Sequence, residues 1–180
     1  MSFLNNDIER ILFDPEQIAE AVKKLGAAIT SDYEGKKPLL LCVLKGSSVF
    51  HADLMRVIDL PCEVGFITAK SYGAAAQSSG KVEVSKDAVD INGRDVIIVE
   101  DILDTSLTLS TLLHTMMKMN PSSIKTAVFL DKNLGFEKPV RADYKCFDVE
   151  NEFVVGYGLD YAERYRNLPY VGVLKKEIYS

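Results

Sequence analysis

The run Val99-Glu100-Asp101-Ile102-Leu103-Asp104-Thr105-Ser106-Leu107-Thr108 sets acids and hydroxyls in an unusual order. Before it, Val96-Ile97-Ile98-Val99 is a continuous apolar stretch that reads as a buried strand ending in Glu100-Asp101. After it, Ser106 to Met119 reads as a helix. Residues 104–108 then lie beyond the carboxyl end of a strand, where open α/β sheets bind their ligands. Free backbone N–H groups at a helix N-terminus favour an anion, and the hydroxyls of Thr105, Ser106 and Thr108 can add donors. Phosphate suits such a loop. Glu100 and Asp101 would crowd negative charge beside it unless they hold sugar hydroxyls or a divalent cation. The string points to a phosphorylated sugar bound with a metal. The plain alternative makes Asp104 a helix cap and the other two solvated loop acids; for this ordered string the functional reading is preferred.

The elements that must position these residues follow from periodicity and breakers. Asp14 and Pro15 mark a helix start, with Asp14 as cap, and Ile18, Ala21, Val22 and Leu25 keep helical spacing. Leu39 to Leu44 is a short apolar run suited to a buried parallel strand, ending at Lys45-Gly46. A helix is predicted from about Val49 to Ile58, and strands at Cys62 to Ala69 and Lys125 to Leu130. Pro121 closes the helix from Ser106. Residues 71–86 are small, polar and glycine-containing, and read as a long mobile loop. Phe153 to Gly156 is a late short strand. Strands alternating with helices imply an α/β fold with a mostly parallel sheet. No repeat or linker divides residues 1–180, so one domain is expected.

The bulk properties narrow the function. The 180 residues are 47% hydrophobic and 26% charged, with net charge −5; that is an ordinary globular balance. An acidic chain lacks the broad basic surface of a non-specific nucleic-acid binder. Cys42, Cys62 and Cys146 form no CxxC pair and read as free thiols of a reducing compartment. The N-terminus does not read as a secretory signal, and no apolar run reaches membrane-span length. A soluble, cytoplasmic protein without membrane or nucleic-acid partners is expected.

The signature string resembles the phosphoribosyl diphosphate-binding motif of the type I phosphoribosyltransferases. More narrowly, the chain resembles their hypoxanthine-guanine branch. The markers are Leu44-Lys45-Gly46, Ser71-Tyr72-Gly73, the string itself, Asp131-Lys132, and Phe153-Val154-Val155-Gly156-Tyr157-Gly158-Leu159-Asp160-Tyr161 with Arg166-Asn167-Leu168-Pro169. They occur in the family's order across most of the chain. The resemblance implies a type I phosphoribosyltransferase fold: a mostly parallel sheet flanked by helices, with a small hood built from N- and C-terminal segments. It implies magnesium-dependent transfer of a phosphoribosyl group to N9 of a 6-oxopurine, releasing pyrophosphate, as part of purine salvage. A homodimer or homotetramer is implied too.

The resemblance also distributes roles. Asp104 matches a candidate general acid/base near purine N7. Thr105, Ser106, Leu107 and Thr108, with Asp104, match the 5′-phosphate loop. Glu100 and Asp101 match acids near the ribose hydroxyls and metal. Lys132 matches a donor to the purine 6-oxo group, and a lysine can only donate, so oxo is favoured over amino. Phe153 matches the aromatic that stacks on the base, and Val154 offers backbone groups to the purine edge. Asp160 matches an acid beside the base that holds a second magnesium. Lys45-Gly46 and Arg166 match pyrophosphate contacts, with the Leu44–Lys45 peptide often cis. Ser71 and Tyr72 match the start of a closing loop. Ser106 departs from the family, which usually has glycine there; a positive φ at serine would add strain of order 1 kcal/mol.

Two decoys fail. Gly73 to Lys81 has six residues between its glycines and Val82 after the lysine, unlike a P-loop, and Gly156-Tyr157-Gly158 lacks a third glycine. His51 and His114 lack metal-binding partners in sequence and read as packing or helix-surface residues. Two competing functions remain: a nucleotide-sensing regulator that binds nucleic acid, and a phosphoribosyltransferase preferring xanthine. Asp104, Lys132 and Asp160 together favour the enzyme, and Lys132 with Phe153-Val154 favours a 6-oxopurine.

Overall fold

The computed structural model describes residues 3–68 and 90–180. The expected loop at 71–86, including Ser71 and Tyr72, lies outside the described residues. A short 3-10 turn, Phe3–Asp7, leads into β1 (Ile8–Phe13), α1 (Pro15–Asp32), β2 (Leu39–Leu44), α2 (Ser48–Val57) and β3 (Glu63–Thr68). After the gap come β4 (Asp95–Leu103), α3 (Leu107–Met117), β5 (Ser123–Lys132), β6 (Tyr144–Val149), β7 (Val154–Val155), β8 (Val171–Leu174) and α4 (Lys176–Tyr179).

Five strands form a parallel sheet in the order β3-β2-β4-β5-β6. Its central strands are apolar throughout because both faces are covered. Leu40, Ile97, Val99, Ala127 and Phe129 pack with Ile18, Val22 and Leu25 of α1 and with Phe50 and Leu54 of α2. The intervening residues Leu39, Leu41, Val43, Val96, Ile98 and Val128 pack with Leu109, Leu112 and Met116 of α3. The strand period of two thus sorts one sequence run onto two helical layers. Asp14 starts α1 as expected: its side chain accepts from Gln17 N at 2.9 Å and its N–H donates to Gln17 Oε1 at 3.0 Å, a reciprocal cap.

A second sheet, β1-β8-β7, is antiparallel and joins the two ends of the chain into the expected hood. Its residues Val154, Val171 and Val173, with Tyr157, reach the same core as α1 and α2. The Tyr157 hydroxyl donates to Asp53 of α2 at 2.8 Å, and its ring lies 4.7 Å from that of Phe129.

The structure corrects several boundaries. β4 does not stop at Val99 but continues to Leu103, because β5 pairs with it out to Leu103↔Asp131. Glu100 and Asp101 are therefore strand residues, not loop acids. β5 likewise extends to Lys132. Helix α3 begins one residue late, at Leu107, with Ser106 as its N-cap. Strands β1, β6 and β8 have no counterpart among the sequence expectations.

Candidate active site

The site forms where β2, β4 and β5 end. A cleft of about 750 Å³ opens there, lined by residues from the ends of β2 and β4, the start of α3, and the segment after β7. It brings together Lys45, Gly46, Glu100, Asp101, Asp104, Thr105, Ser106, Thr108, Asp160 and Arg166, with Glu163 beside them. These come from sequence positions more than a hundred residues apart. Leu107, Lys132, Phe153 and Val154 do not line this cleft.

The loop after β4 leaves backbone donors free at the start of α3. Ser106 has φ 60° and ψ 6°, so the chain turns sharply into α3 with no side-chain cap on the helix. The first helical backbone bond is Ser110 N to Ser106 O, at 2.8 Å. The N–H groups of Leu107, Thr108 and Leu109 precede it and lack helical acceptors, the condition that favours a phosphate. The Ser106 hydroxyl, expected as a further donor, accepts from Val140 N at 3.3 Å and keeps its own O–H to donate. It is therefore turned to the neighbouring loop. The strained φ that the serine departure raised is present.

Close backbone approach shapes the opposite wall. The Leu44–Lys45 peptide is cis. A Cβ on Gly46 would stand 1.6 Å from Asp101 Oδ2, and one on Gly158, at φ +101°, would stand 2.1 Å from Gly46 O. Only glycine fits at 158, where the clash is with backbone; at 46 a side chain would have to displace the Asp101 carboxylate. The two glycines stack the Lys45 loop between the end of β4 and the segment after β7.

Five carboxylates, Glu100, Asp101, Asp104, Asp160 and Glu163, face two cations, Lys45 and Arg166, in this cleft. Burial, then the neighbouring Asp101 charge, pushes the Glu100 carboxyl well above the usual range. Burial also raises Asp101, against its hydrogen bond from Ile102 N. Such a donor set suits a hard divalent cation, which takes oxygen ligands and relieves this repulsion. Among the described residues no group of three or more His, Cys, Asp or Glu forms a metal cage. One or two carboxylates completed by substrate oxygens is the arrangement that magnesium commonly takes.

The cations are not idle. Lys45 Nζ pairs with Glu163 at 3.1 Å, while Arg166 reaches Asp160 at 2.8 Å and Glu163 at 3.4 Å. Arg166 also donates to Gly158 O at 2.8 Å. Sequence reasoning passed over Glu163, although its position between Asp160 and Arg166 was a usable signal. It also missed Gly158 as a steric requirement, which only the packing reveals.

Lys132 ends β5 beside the cleft, and its Nζ lies 3.6 Å from Asp104 Oδ2. An acid and a lysine from adjacent strand ends thus face one space. Phe153 stands on the hood, 37% exposed. Its ring stacks on Tyr179 at 4.7 Å and meets Tyr161 edge-on at 5.5 Å. Val154 is held in the ladder opposite Val173.

The phosphoribosyl transferase domain family matches residues 10–162. The chain is 51% identical to the hypoxanthine-guanine phosphoribosyltransferase of Streptococcus thermophilus, over 98% of this chain and 99% of that one. It is 49% identical to the same-named protein of Streptococcus pneumoniae over equal shares. A crystal structure of a hypoxanthine phosphoribosyltransferase from Staphylococcus aureus superposes with a TM-score of 0.94 at 40% identity, covering 99% of this chain and 98% of that one. An open helix N-terminus beside a carboxylate-rich cleft at the sheet's carboxyl edge, in a chain so similar throughout, leaves one conclusion: this chain belongs to the phosphoribosyltransferase family.

Proposed function

We propose that the protein transfers the 5-phosphoribosyl group of phosphoribosyl diphosphate to N9 of hypoxanthine and guanine, giving IMP and GMP with release of pyrophosphate. The observation that carries this reading is the Asp104–Lys132 pair. N7 and the 6-oxo group are neighbours on one edge of a 6-oxopurine. A carboxyl and an ammonium 3.6 Å apart, from adjacent strand ends, can address that edge together. Lys132 donates to the oxo oxygen; an amino group there would offer it no acceptor in that position. Asp104 handles the proton balance at N7 as the base attacks. The printed names of the relatives, hypoxanthine-guanine phosphoribosyltransferases, support the same base class.

The remaining roles follow from position. The N–H groups and hydroxyls of residues 104–108 hold the 5′-phosphate. Lys45, the Gly46 backbone and Arg166 hold the pyrophosphate. Phe153 stacks on the base and Val154 offers backbone groups to its edge. Glu100 and Asp101 hold ribose hydroxyls and a magnesium ion, and Asp160 holds a second, directly or through water. Magnesium, when bound, neutralises the diphosphate and acts as a Lewis acid on it. Ser71 and Tyr72 begin the segment that closes over the reaction. We place the enzyme in the cytoplasm, as a homodimer or homotetramer; among the described residues no helix is long and apolar enough to cross a membrane.

A rate comparison with hypoxanthine, guanine, xanthine and adenine, each with magnesium and phosphoribosyl diphosphate, tests the reading. IMP and GMP should form readily, and adenine should react slower by a factor on the order of 10⁴, the penalty for an unmatched polar contact. Turnover of adenine at a comparable rate, or no nucleotide from any base, would sink it.

A further inference from the structure

Leu103 and Asp131 are the last rung joining β4 to β5. The next residue on each strand is Asp104 and Lys132, so whatever fixes that rung sets how these two side chains face one another. Across it lies the side chain of Lys138, from the loop between β5 and β6. Its Nζ donates to Leu103 O at 2.5 Å and to Asp131 Oδ1 at 2.6 Å, and the side chain is only 10% exposed. Two residues on, Val140 N donates to the Ser106 hydroxyl. The same short loop therefore grips the β4–α3 turn at Leu103 and at Ser106, on both sides of Asp104 and Thr105. Val140 and Ala142 anchor the loop by packing against the cluster built on α3.

We propose that Lys138 is a positioning residue for the transfer reaction, and that the Ser106 hydroxyl is the second jaw of the same clamp. The proposal rests on the roles assigned above to Asp104 and Lys132. Both sides of the clamp have a physical reason. A buried ammonium needs its charge and its protons satisfied; here a carboxylate and a strand-end carbonyl do both. That carbonyl is at the end of β4, where the ladder has run out. The left-handed backbone at residue 106 would be least strained with glycine, and serine adds a tether to the loop that carries Lys138. A misplacement of about 1 Å at a reacting group can cost on the order of a hundredfold in rate, so a clamp acting on two substrate-facing residues has leverage that its few contacts would not suggest.

Lys138→Met, Lys138→Arg and Ser106→Ala test this, with kcat and both KM values, unfolding curves, and Asp104→Asn alongside. Lys138→Met should lower kcat on the order of tenfold to a hundredfold at temperatures where circular dichroism shows it fully folded. Lys138→Arg, which keeps the charge and the donors, should recover most of that loss. Ser106→Ala should raise the KM for phosphoribosyl diphosphate more than it lowers kcat. Arg141→Ala on the same loop breaks only an exposed pair with Glu137, and should change nothing. Wild-type kinetics in both folded Lys138→Met and Ser106→Ala would overturn the clamp. So would a Lys138→Met loss that follows only the fall in folded protein. If Asp104→Asn keeps the full rate, the underlying site reading falls; if it loses the rate while Lys138→Met does not, the clamp alone falls.

Discussion

Glu100 and Asp101 lie in the second half of β4, and both line the cleft. Two adjacent carboxylates drawn from water favour holding a proton between them, and Glu100 is the one pushed well above the ordinary range, by burial first and by Asp101 second. A cation entering the cleft must displace that proton, so binding becomes linked to pH. Affinity for magnesium pyrophosphate should therefore weaken as pH falls through the raised Glu100 value, at a higher pH than an ordinary carboxylate would give. Calorimetry in buffers of different ionisation enthalpy, over about pH 5.5 to 8, should register proton release on binding. Glu100→Gln should abolish most of the release; an unchanged release would show that Glu100 is not the group titrating. At this scale the types and order of residues 99–108 alone raised the expectation of phosphate, sugar and metal. What they could not show was the Ser106 hydroxyl turning to Val140, because that depends on where a loop more than thirty residues away comes to lie.

The elements succeed or fail together at the edge of the sheet. β2 ends in Lys45-Gly46, and Gly46 lies against Asp101 of β4 with no room for a methyl group. Gly46→Ala must therefore push the Lys45 loop or the Asp101 carboxyl aside. The expected result is a KM for phosphoribosyl diphosphate raised on the order of tenfold or more, with the sheet itself intact. Steady-state kinetics and a far-UV spectrum would check this, and an unchanged KM would mean that the loop yields without consequence. The element pattern was legible where local chemistry dominated. Asp14 and Pro15 capped α1, and the runs at Leu39 and Val96 became central strands because their apolar content matches burial on both faces. β1 and β8 were not legible, since they pair across 160 residues, Ile11 with Gly172 for example. Neither shows clean alternation or a flanking hairpin turn. The end of β4 was placed too early for a related reason: the strand was read as ending in Glu100-Asp101, where the apolar run gives out, while pairing with β5 carries it to Leu103.

Across the whole molecule, the two sheets share one core, and the cysteines report its integrity. Cys42 is fully buried, and burial raises its thiol. Burial pushes the Cys146 thiol up to about 12, and raises Cys62 as well. Since the thiolate is the reactive form, iodoacetamide at about pH 8 should label buried Cys42 only as fast as the protein opens, and partly exposed Cys146 slowly because little of it is thiolate. All three should label at once in denaturant. Mass spectrometry of the labelled protein checks this, and rapid native labelling of Cys146 would contradict the packing around β6. The binding of a ligand in the cleft should slow labelling further, through its preference for the folded state.

The sequence by itself determined the chemistry available: acids and hydroxyls in one ordered run, a lysine at the end of a buried strand, and the α/β scaffold that carries them. These are matters of residue type and local order, which a chain states directly. The tertiary structure decided the rest. It placed Glu163 between the two cations, set Gly46 against the Asp101 carboxylate, made Gly158 sterically obligatory, kept Glu100 and Asp101 in a strand, and laid Lys138 across the last rung of β4 and β5. Each of these depends on segments distant in sequence meeting at one sheet edge, and such meetings are settled by packing and long-range pairing that no local pattern encodes.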